Sequence, residues 1–290
     1  MISKGIILAG GTGSRLSPIT KSVNKQLLPL YDKPMIFYPL SVLMLAKIRD
    51  ILIITSKKDI GSFSNLFGDG KDLGIKINYL EQEKANGLPE AFIIGKKFIK
   101  NQNVALILGD NFFYGQGFTE RLKKSKELKN GAKIFLYNVK NPKDYGTAII
   151  KKNKIAKIQE KPKDPKSNLA ITGLYFFDKN VTKYSKTLKP SKRSELEIVD
   201  LLNIYKKKNK LSFNLMGRGS AWLDTGSPGN LLSTSEFIST IENRQGLKVG
   251  CIEEIAFNYK WISKKNILKR IKYYGNSEYS NYLNKIVSNV

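Results

Sequence analysis

Gly5-Ile6-Ile7-Leu8-Ala9-Gly10-Gly11-Thr12-Gly13-Ser14-Arg15-Leu16 runs from a short apolar strand into a glycine-rich loop that ends on an arginine. Without Cβ atoms, successive backbone N–H groups can approach an anion closely, and a guanidinium adds a planar fork for phosphate oxygens. Strand, loop and arginine in this order predict an α/β fold with a phosphate grip at the end of its first strand. A dinucleotide fingerprint needs a third glycine where Leu16 stands, and a P-loop needs Gly-Lys-Ser/Thr, which is absent. Taken alone, the loop also reads as a plain glycine turn.

Outward from this loop, strand-like and helix-like runs alternate: strand 4–9, helix 39–47, strand 50–55, helix 58–67, strand 75–80, helix 88–99, strand 104–108. That alternation predicts βαβ crossovers feeding a mostly parallel sheet, with ligands beyond the carboxyl ends of the strands. Past residue 130 the pattern turns mixed, with strands at 132–138, 147–151, 170–177 and 211–216 and helices near 195–208 and 229–243. One nucleotide-handling domain over 1–245 is expected, with a helical C-terminal appendage over 246–290 as part of the same globular unit.

The 290 residues are 41% hydrophobic, enough for a large core, and no apolar run approaches the length of a membrane helix. Met1-Ile2-Ser3-Lys4 has no signal-peptide character, so a cytoplasmic protein is expected. With one cysteine and no histidine, an internal disulfide, a histidine base and a Cys/His metal cage are excluded. Catalysis would fall to carboxylates, lysines, arginines and metal. The net charge of +26 raises nucleic acid as a partner, but 43 lysines against seven arginines, spread along the chain, read as a compositional bias. No specific nucleic-acid complex is expected.

Val104-Ala105-Leu106-Ile107-Leu108-Gly109 delivers Asp110 to the ligand edge of the sheet, and Ala221-Trp222-Leu223 delivers Asp224 in the same manner, each beside a glycine. Carboxylates so placed suit Mg²⁺, which takes hard oxygen ligands together with substrate phosphates. Asp110 also fits a turn, and Asp224 a cap for the helix after Pro228, a role open to Thr225 or Ser227. Arg15, Lys25 and Lys161 are the basic residues placed to meet phosphates, although in so lysine-rich a chain either lysine alone also reads as solvated surface charge.

Taken together these segments resemble the bacterial glucose-1-phosphate thymidylyltransferases. The resemblance rests on GIILAGGTGSRL at 5–16, NKQLLPLYDKPMIFYPLS at 24–41, LGDN at 108–111, EKP at 160–162, SELEIVD at 194–200, GRGSAWLDTG at 217–226 and ENRQGLKVGCIEEIAF at 242–257. It implies a Rossmann-like nucleotidyltransferase fold, a mostly parallel central mixed sheet flanked by helices. It also implies the reaction of dTTP with α-D-glucose 1-phosphate to dTDP-glucose and pyrophosphate, feeding dTDP-sugar formation such as that of dTDP-rhamnose, in a homotetramer. A uridylyltransferase and a fold-retaining nucleic-acid-binding protein remain open as other readings.

The same resemblance gives Gly10, Gly11, Thr12, Gly13 and Arg15 the triphosphate, Lys25 the α-phosphate, and Asp110 with Asp224 the Mg²⁺. It places thymine against Gln82 and Gly87, the sugar against Tyr145, Gly146, Glu160 and Ile171, and Lys161 on the sugar phosphate, and it counts Leu8 and Gln26 among the substrate-binding residues. Where the family has Glu-Glu-Lys-Pro this chain has Gln159-Glu160-Lys161-Pro162, which leaves the sugar site expected intact. Gln116 and Ser220 stand where the family has a histidine and a tyrosine, so feedback by dTDP-sugars is expected to be weak.

Overall fold

The computed structural model describes residues 1–288. β1 (Lys4–Leu8), β2 (Pro29–Leu30) and β3 (Lys33–Pro34) precede β4 (Asp50–Thr55), β5 (Lys76–Glu81) and β6 (Val104–Leu108). Then follow β7 (Asn111–Gly115), β8 (Ala132–Asn138), β9 (Thr147–Lys151), β10 (Lys154–Gln159), β11 (Leu169–Phe177), β12 (Leu211–Leu215) and β13 (Ser220–Asp224). Nine strands form one sheet in the order β10-β9-β11-β6-β1-β4-β5, with β8 joining β11 to β12.

Around β1 the sheet is parallel, as the alternating pattern predicts: Leu8 pairs with Leu108 on one side and Ile54 on the other. The three strands therefore end level, and the loops after Leu8 and Leu108 open on one edge. Ile6, Ile7, Ile51 to Ile54 and Val104 to Ile107 are all buried, as a sheet covered on both faces requires. The remainder of the sheet is largely antiparallel. β11 runs against β6, β8 and β9, so the crossover rule that orders the first half does not extend to it.

Two local differences from the sequence expectation stand out, one steric and one of pairing. The expected helix 88–99 divides at Gly95 into Glu90–Ile94 and Lys96–Ile99. A Cβ at Gly95 would lie 2.9 Å from the carbonyl oxygen of Ala91 and 3.3 Å from Ile6 and Leu52, so this stretch packs too close to the sheet for a side chain. The segment after Asp110 was not expected as a strand, yet β7 pairs with β13 in a separate two-stranded ribbon.

The helix Phe37–Leu45 is apolar nearly all round and almost entirely buried. Much of its cover comes from the C-terminal helices Ile252–Asn258, Lys264–Tyr274 and Glu278–Ser288, whose Ile252, Ala256, Ile267, Tyr279 and Leu283 share its core. The Phe37 and Tyr279 rings meet edge to face at 6.4 Å. Glu253 is fully buried there, its carboxylate taken up by Arg270, Tyr274 and Tyr279, so these aromatics serve packing and charge satisfaction. A second buried charge cluster pins the end of the helix Pro228–Gln245. Glu242 accepts from Lys33 at 3.2 Å and from Lys248 at 3.0 Å, and Asp32 pairs with both lysines.

Candidate active site

A cavity of about 490 Å³ opens at the carboxyl edge of the parallel strands. Its walls include Arg15, Asp110, Tyr145, Gly146, Glu160, Lys161, Ile171 and Asp224, eight of the residues singled out from sequence. Gly10 to Gly13, Lys25, Gln26, Gln82, Gly87 and Leu8 are not on this wall, although Lys25 contacts Asp110 and Gly87 pairs with Leu196, both of which are.

The two aspartates are brought together by the β7–β13 ribbon. Its register sets Asn111 opposite Asp224, and the next residue pair is tied as well: the Asp110 carbonyl accepts from the Thr225 backbone N–H at 3.1 Å and from its hydroxyl at 2.9 Å. Asp110 and Asp224 thus stand at the same end of one short ribbon. Lys25 is 6% exposed, and its ammonium donates to Asp110 Oδ2 at 2.5 Å. The solvated reading of Lys25 therefore fails; the lysine is folded inward onto a carboxylate.

Asp224 sits in a dense donor set. Burial alone would raise its pKa, but the Tyr145 hydroxyl, Asn230, the Gly226 N–H and the charge of Arg15 outweigh that and hold it below the ordinary carboxylate value. Asn230 Nδ2 donates to Oδ1 at 2.8 Å and the Gly226 N–H at 3.2 Å. The cap of the helix Pro228–Gln245 is supplied by Ser227, which accepts from the Asn230 N–H, so Asp224 stays on the cavity wall. Gly226 makes space for the arginine: a Cβ there would lie 2.7 Å from Arg15 Nη2.

Around Glu160 an ion-pair ladder appears that the sequence reading missed. Arg193 donates to Glu160 at 3.0 Å and to Glu197 at 2.7 Å, and the Ser191 hydroxyl donates to Glu197 at 2.6 Å. Burial, then the neighbouring Glu197 charge, push the Glu160 pKa up, and Arg193 offsets part of that. Lys161, next along, is exposed with φ of 35°, a left-handed conformation uncommon for a non-glycine residue and often found at functional sites. Glu197 falls in the SELEIVD run and pairs with Arg193 four residues away, but nothing local ties Arg193 to Glu160, 33 residues back in the chain.

On the opposite side, Gln82 is 4% exposed, its Nε2 donating to Glu90 Oε2 at 2.7 Å. Its carbonyl oxygen faces Gly10, where a Cβ would come within 2.4 Å. Glu90, also absent from the sequence reading, thus sets which end of the amide is free. Gly87, with φ of 103°, pairs with Leu196 so closely that a Cβ would lie 2.1 Å from the Leu196 carbonyl oxygen. The segment carrying Arg193 and Glu197 is thereby tied to the Gly87 loop. Gln26 is buried with its Oε1 lacking any partner.

The Nucleotidyl transferase family model matches residues 4–241. A glucose-1-phosphate thymidylyltransferase of Neisseria meningitidis serogroup A is 50% identical over 98% of this chain and 99% of its own, and one of Mycobacterium tuberculosis is 47% identical over 97% of each. Among solved structures, a Bacillus anthracis protein assigned the same activity and crystallised with sucrose is 42% identical with a TM-score of 0.75, covering 81% of this chain and 94% of that one. A UDP-glucose pyrophosphorylase complexed with UDP-glucose is 25% identical with a TM-score of 0.73, covering 83% of this chain and all of that one.

Proposed function

The chain belongs to the nucleotidyl transferase family, and from that premise we propose how its cleft works as a glucose-1-phosphate thymidylyltransferase, converting dTTP and α-D-glucose 1-phosphate to dTDP-glucose and pyrophosphate. The observation that carries the reading is the β7–β13 register, which sets Asp110 and Asp224 at one ribbon end with Lys25 on the first and Arg15 beside the second. The glucose-1-phosphate thymidylyltransferases above share nearly the whole chain, which supports the substrate pair.

No protein nucleophile is required. The sugar phosphate is an oxyanion at neutral pH, so one of its oxygens bonds to the α-phosphorus while the bond from that phosphorus to the oxygen bridging it to the β-phosphate breaks. The electron pair departs with pyrophosphate, and no proton is removed from the nucleophile. Chemistry of this kind needs alignment and charge neutralisation, which a histidine-free chain can supply. The loop Gly10 to Gly13 with Arg15 would hold the triphosphate, Lys25 would leave Asp110 for the α-phosphate, and Lys161 would meet the sugar phosphate. Tyr145, Gly146, Glu160 and Ile171 would face the sugar, Gln82 and Gly87 the thymine. The unpartnered Gln26 oxygen, costly when left buried and open, favours a ligand donor beside it.

The donor set also fits Mg²⁺. Asp110 and Asp224 are hard oxygen donors, and among the described residues no group of three or more His, Cys, Asp or Glu forms a closed cage. These two carboxylates would hold the ion, with substrate phosphate oxygens and water completing its shell. When bound it supplies charge neutralisation on the triphosphate.

We further infer a homotetramer and a cytoplasmic location from the family resemblance; among the described residues no helix is long and apolar enough to cross a membrane. Feedback by dTDP-sugars should be weak, since Gln116 and Ser220 offer no ring surfaces to a bound nucleotide. The deciding experiment is pyrophosphate release with glucose 1-phosphate across dTTP, UTP, CTP, ATP and GTP. The expected order is dTTP, then UTP modestly behind, then the rest. A UTP preference would make the protein a uridylyltransferase, and no release with any nucleotide would reject the transferase reading. Asp110→Ala and Asp224→Ala should each remove most turnover; near-normal activity of Asp224→Ala with unchanged Mg²⁺ dependence would reject the shared-metal arrangement.

A further inference from the structure

One buried amide joins the two halves of the cavity. Asn111, 4% exposed, donates from Nδ2 to Asp110 Oδ1 at 2.8 Å, while its Oδ1 accepts from the Trp222 indole N–H at 2.7 Å and from the Gly173 N–H at 3.0 Å. The amide is polarised in one sense only: its donor end is spent on the carboxylate and its acceptor end on the indole and the backbone. Reversing it would set an oxygen against a carboxylate and N–H groups against N–H groups. Trp222 is itself 6% exposed and packs against Tyr145 with ring centroids 5.1 Å apart, so the indole and Tyr145 form one wall of the cavity.

The surroundings are shaped for this contact. Gly173 lies where β11 slips register against β8, between Ile171 and Tyr175, which leaves its N–H free of that ladder. A Cβ at 173 would lie 2.5 Å from Asn111 Oδ1, so only glycine lets the amide reach the backbone. Three strands therefore converge on one side chain: β7 carries it, β11 supplies a backbone donor and β13 supplies the indole.

We propose that Asn111 is a positioning residue that couples the metal-binding carboxylate Asp110 to the sugar-pocket wall at Trp222, so that filling the metal–nucleotide side sets the indole before the sugar phosphate arrives. The inference rests on Asp110 being the metal carboxylate proposed above. Outer-shell partners of metal carboxylates commonly change affinity or activity by 10–100-fold when removed. A bridging amide adds a second effect. Disturbing it must alter the sugar side as well as the nucleotide side.

The chain has two tryptophans, and Trp261 lies far along the chain against Tyr259 and Arg49, so Trp261→Phe leaves Trp222 as the sole indole reporter. In that background, Mg²⁺ with dTTP and no sugar should shift Trp222 emission. Asn111→Leu should abolish the shift while dTTP binding by calorimetry persists, and should raise KM for glucose 1-phosphate along with a fall in kcat of about 10–100-fold. Asn111→Asp keeps an acceptor for Trp222 and Gly173 but sets a second carboxylate against Asp110 in place of the donor, so whatever its resting emission the shift on adding Mg²⁺ and dTTP should vanish. Gly173→Ala attacks the same contact from the opposite strand and should reproduce Asn111→Leu, which covers the case of a leucine variant that fails to fold. A parent with no shift, or a shift retained in Asn111→Asp, would overturn the coupling. Failure of the metal reading shows separately, as unchanged Mg²⁺ binding in Asp110→Ala.

Discussion

Gly226 and the Arg15 guanidinium occupy adjoining space: a Cβ on residue 226 would come within 2.7 Å of Nη2 and 3.1 Å of Cζ. A glycine on one segment thus decides where an arginine on another can rest. Gly226→Ala should displace Arg15 from the Asp224 side of the cavity without removing any charge. An ångström of misplacement in such a site can cost on the order of a hundredfold in rate. Steady-state kinetics should show kcat/KM for dTTP falling by that order while Tm changes little, and an unaffected kcat/KM would detach Arg15 from the triphosphate.

Glu160 gives the sugar side a pH signature. Its carboxyl is raised by burial and by Glu197, and Arg193 opposes both. A raised carboxylate protonates at a higher pH than usual, so KM for glucose 1-phosphate should climb as pH falls through a range above the ordinary glutamate value. In Arg193→Gln the opposing charge is gone, the pKa rises further, and the limb should move to higher pH. The stability linkage has the opposite sense: ionised Glu160 burdens the fold at neutral pH, and that burden lifts as pH falls through its raised pKa. Initial rates from pH 5 to 8 for parent and variant would check this; an identical limb in both would remove Arg193 from the ladder.

Base choice should depend on Glu90 as well as Gln82. Because Glu90 holds Gln82 Nε2, the amide oxygen and one N–H remain to meet a base. Thymine and uracil share an imide edge, so the methyl separates them by only about 1–3 kcal/mol at most, whereas cytosine leaves buried groups unpaired. Gln82→Ala should narrow the dTTP/CTP ratio of kcat/KM, and Glu90→Gln should narrow it partway by letting the amide turn. A ratio unchanged in both would exclude Gln82 from base recognition.

The lysine excess should give loose adhesion to DNA and nothing more selective. A dispersed positive field supplies only counterion release, so retention on any duplex should fall steeply between 50 and 200 mM salt, about as expected for non-specific contacts. A sequence-selective complex surviving at the upper end, measured by fluorescence anisotropy, would reopen a nucleic-acid role.

Asp110 and Asp224 were legible because each ends an apolar run beside a glycine, a pattern that local sequence carries. Their convergence was not, since it depends on β7 pairing with β13 more than a hundred residues later, which the turn at Gly109-Asp110 does not announce. Lys25 illustrates the limit for charge: composition argues for solvent, and only the position of Asp110 explains its burial. Arg193 reaches Glu160, and Asn111 reaches Trp222 and Gly173, only through tertiary contact, while Glu90 meets Gln82 across a loop. Hydrophobic period does not encode these. The parallel half of the sheet was readable from alternation, while the antiparallel β11 depends on long-range pairing that alternation cannot register.

The clasp between Lys33 and Glu242 spans 209 positions of chain, and Tyr279 reaches Phe37 from still further along. During synthesis the helix Phe37–Leu45 therefore emerges long before the residues that cover it exist. The newborn N-terminal half must hold an unfinished apolar face in water until the final helices leave the ribosome, and contacts of such separation form slowly. Completing the cover of this helix is thus a late event in folding, set by where this protein keeps its closing pieces.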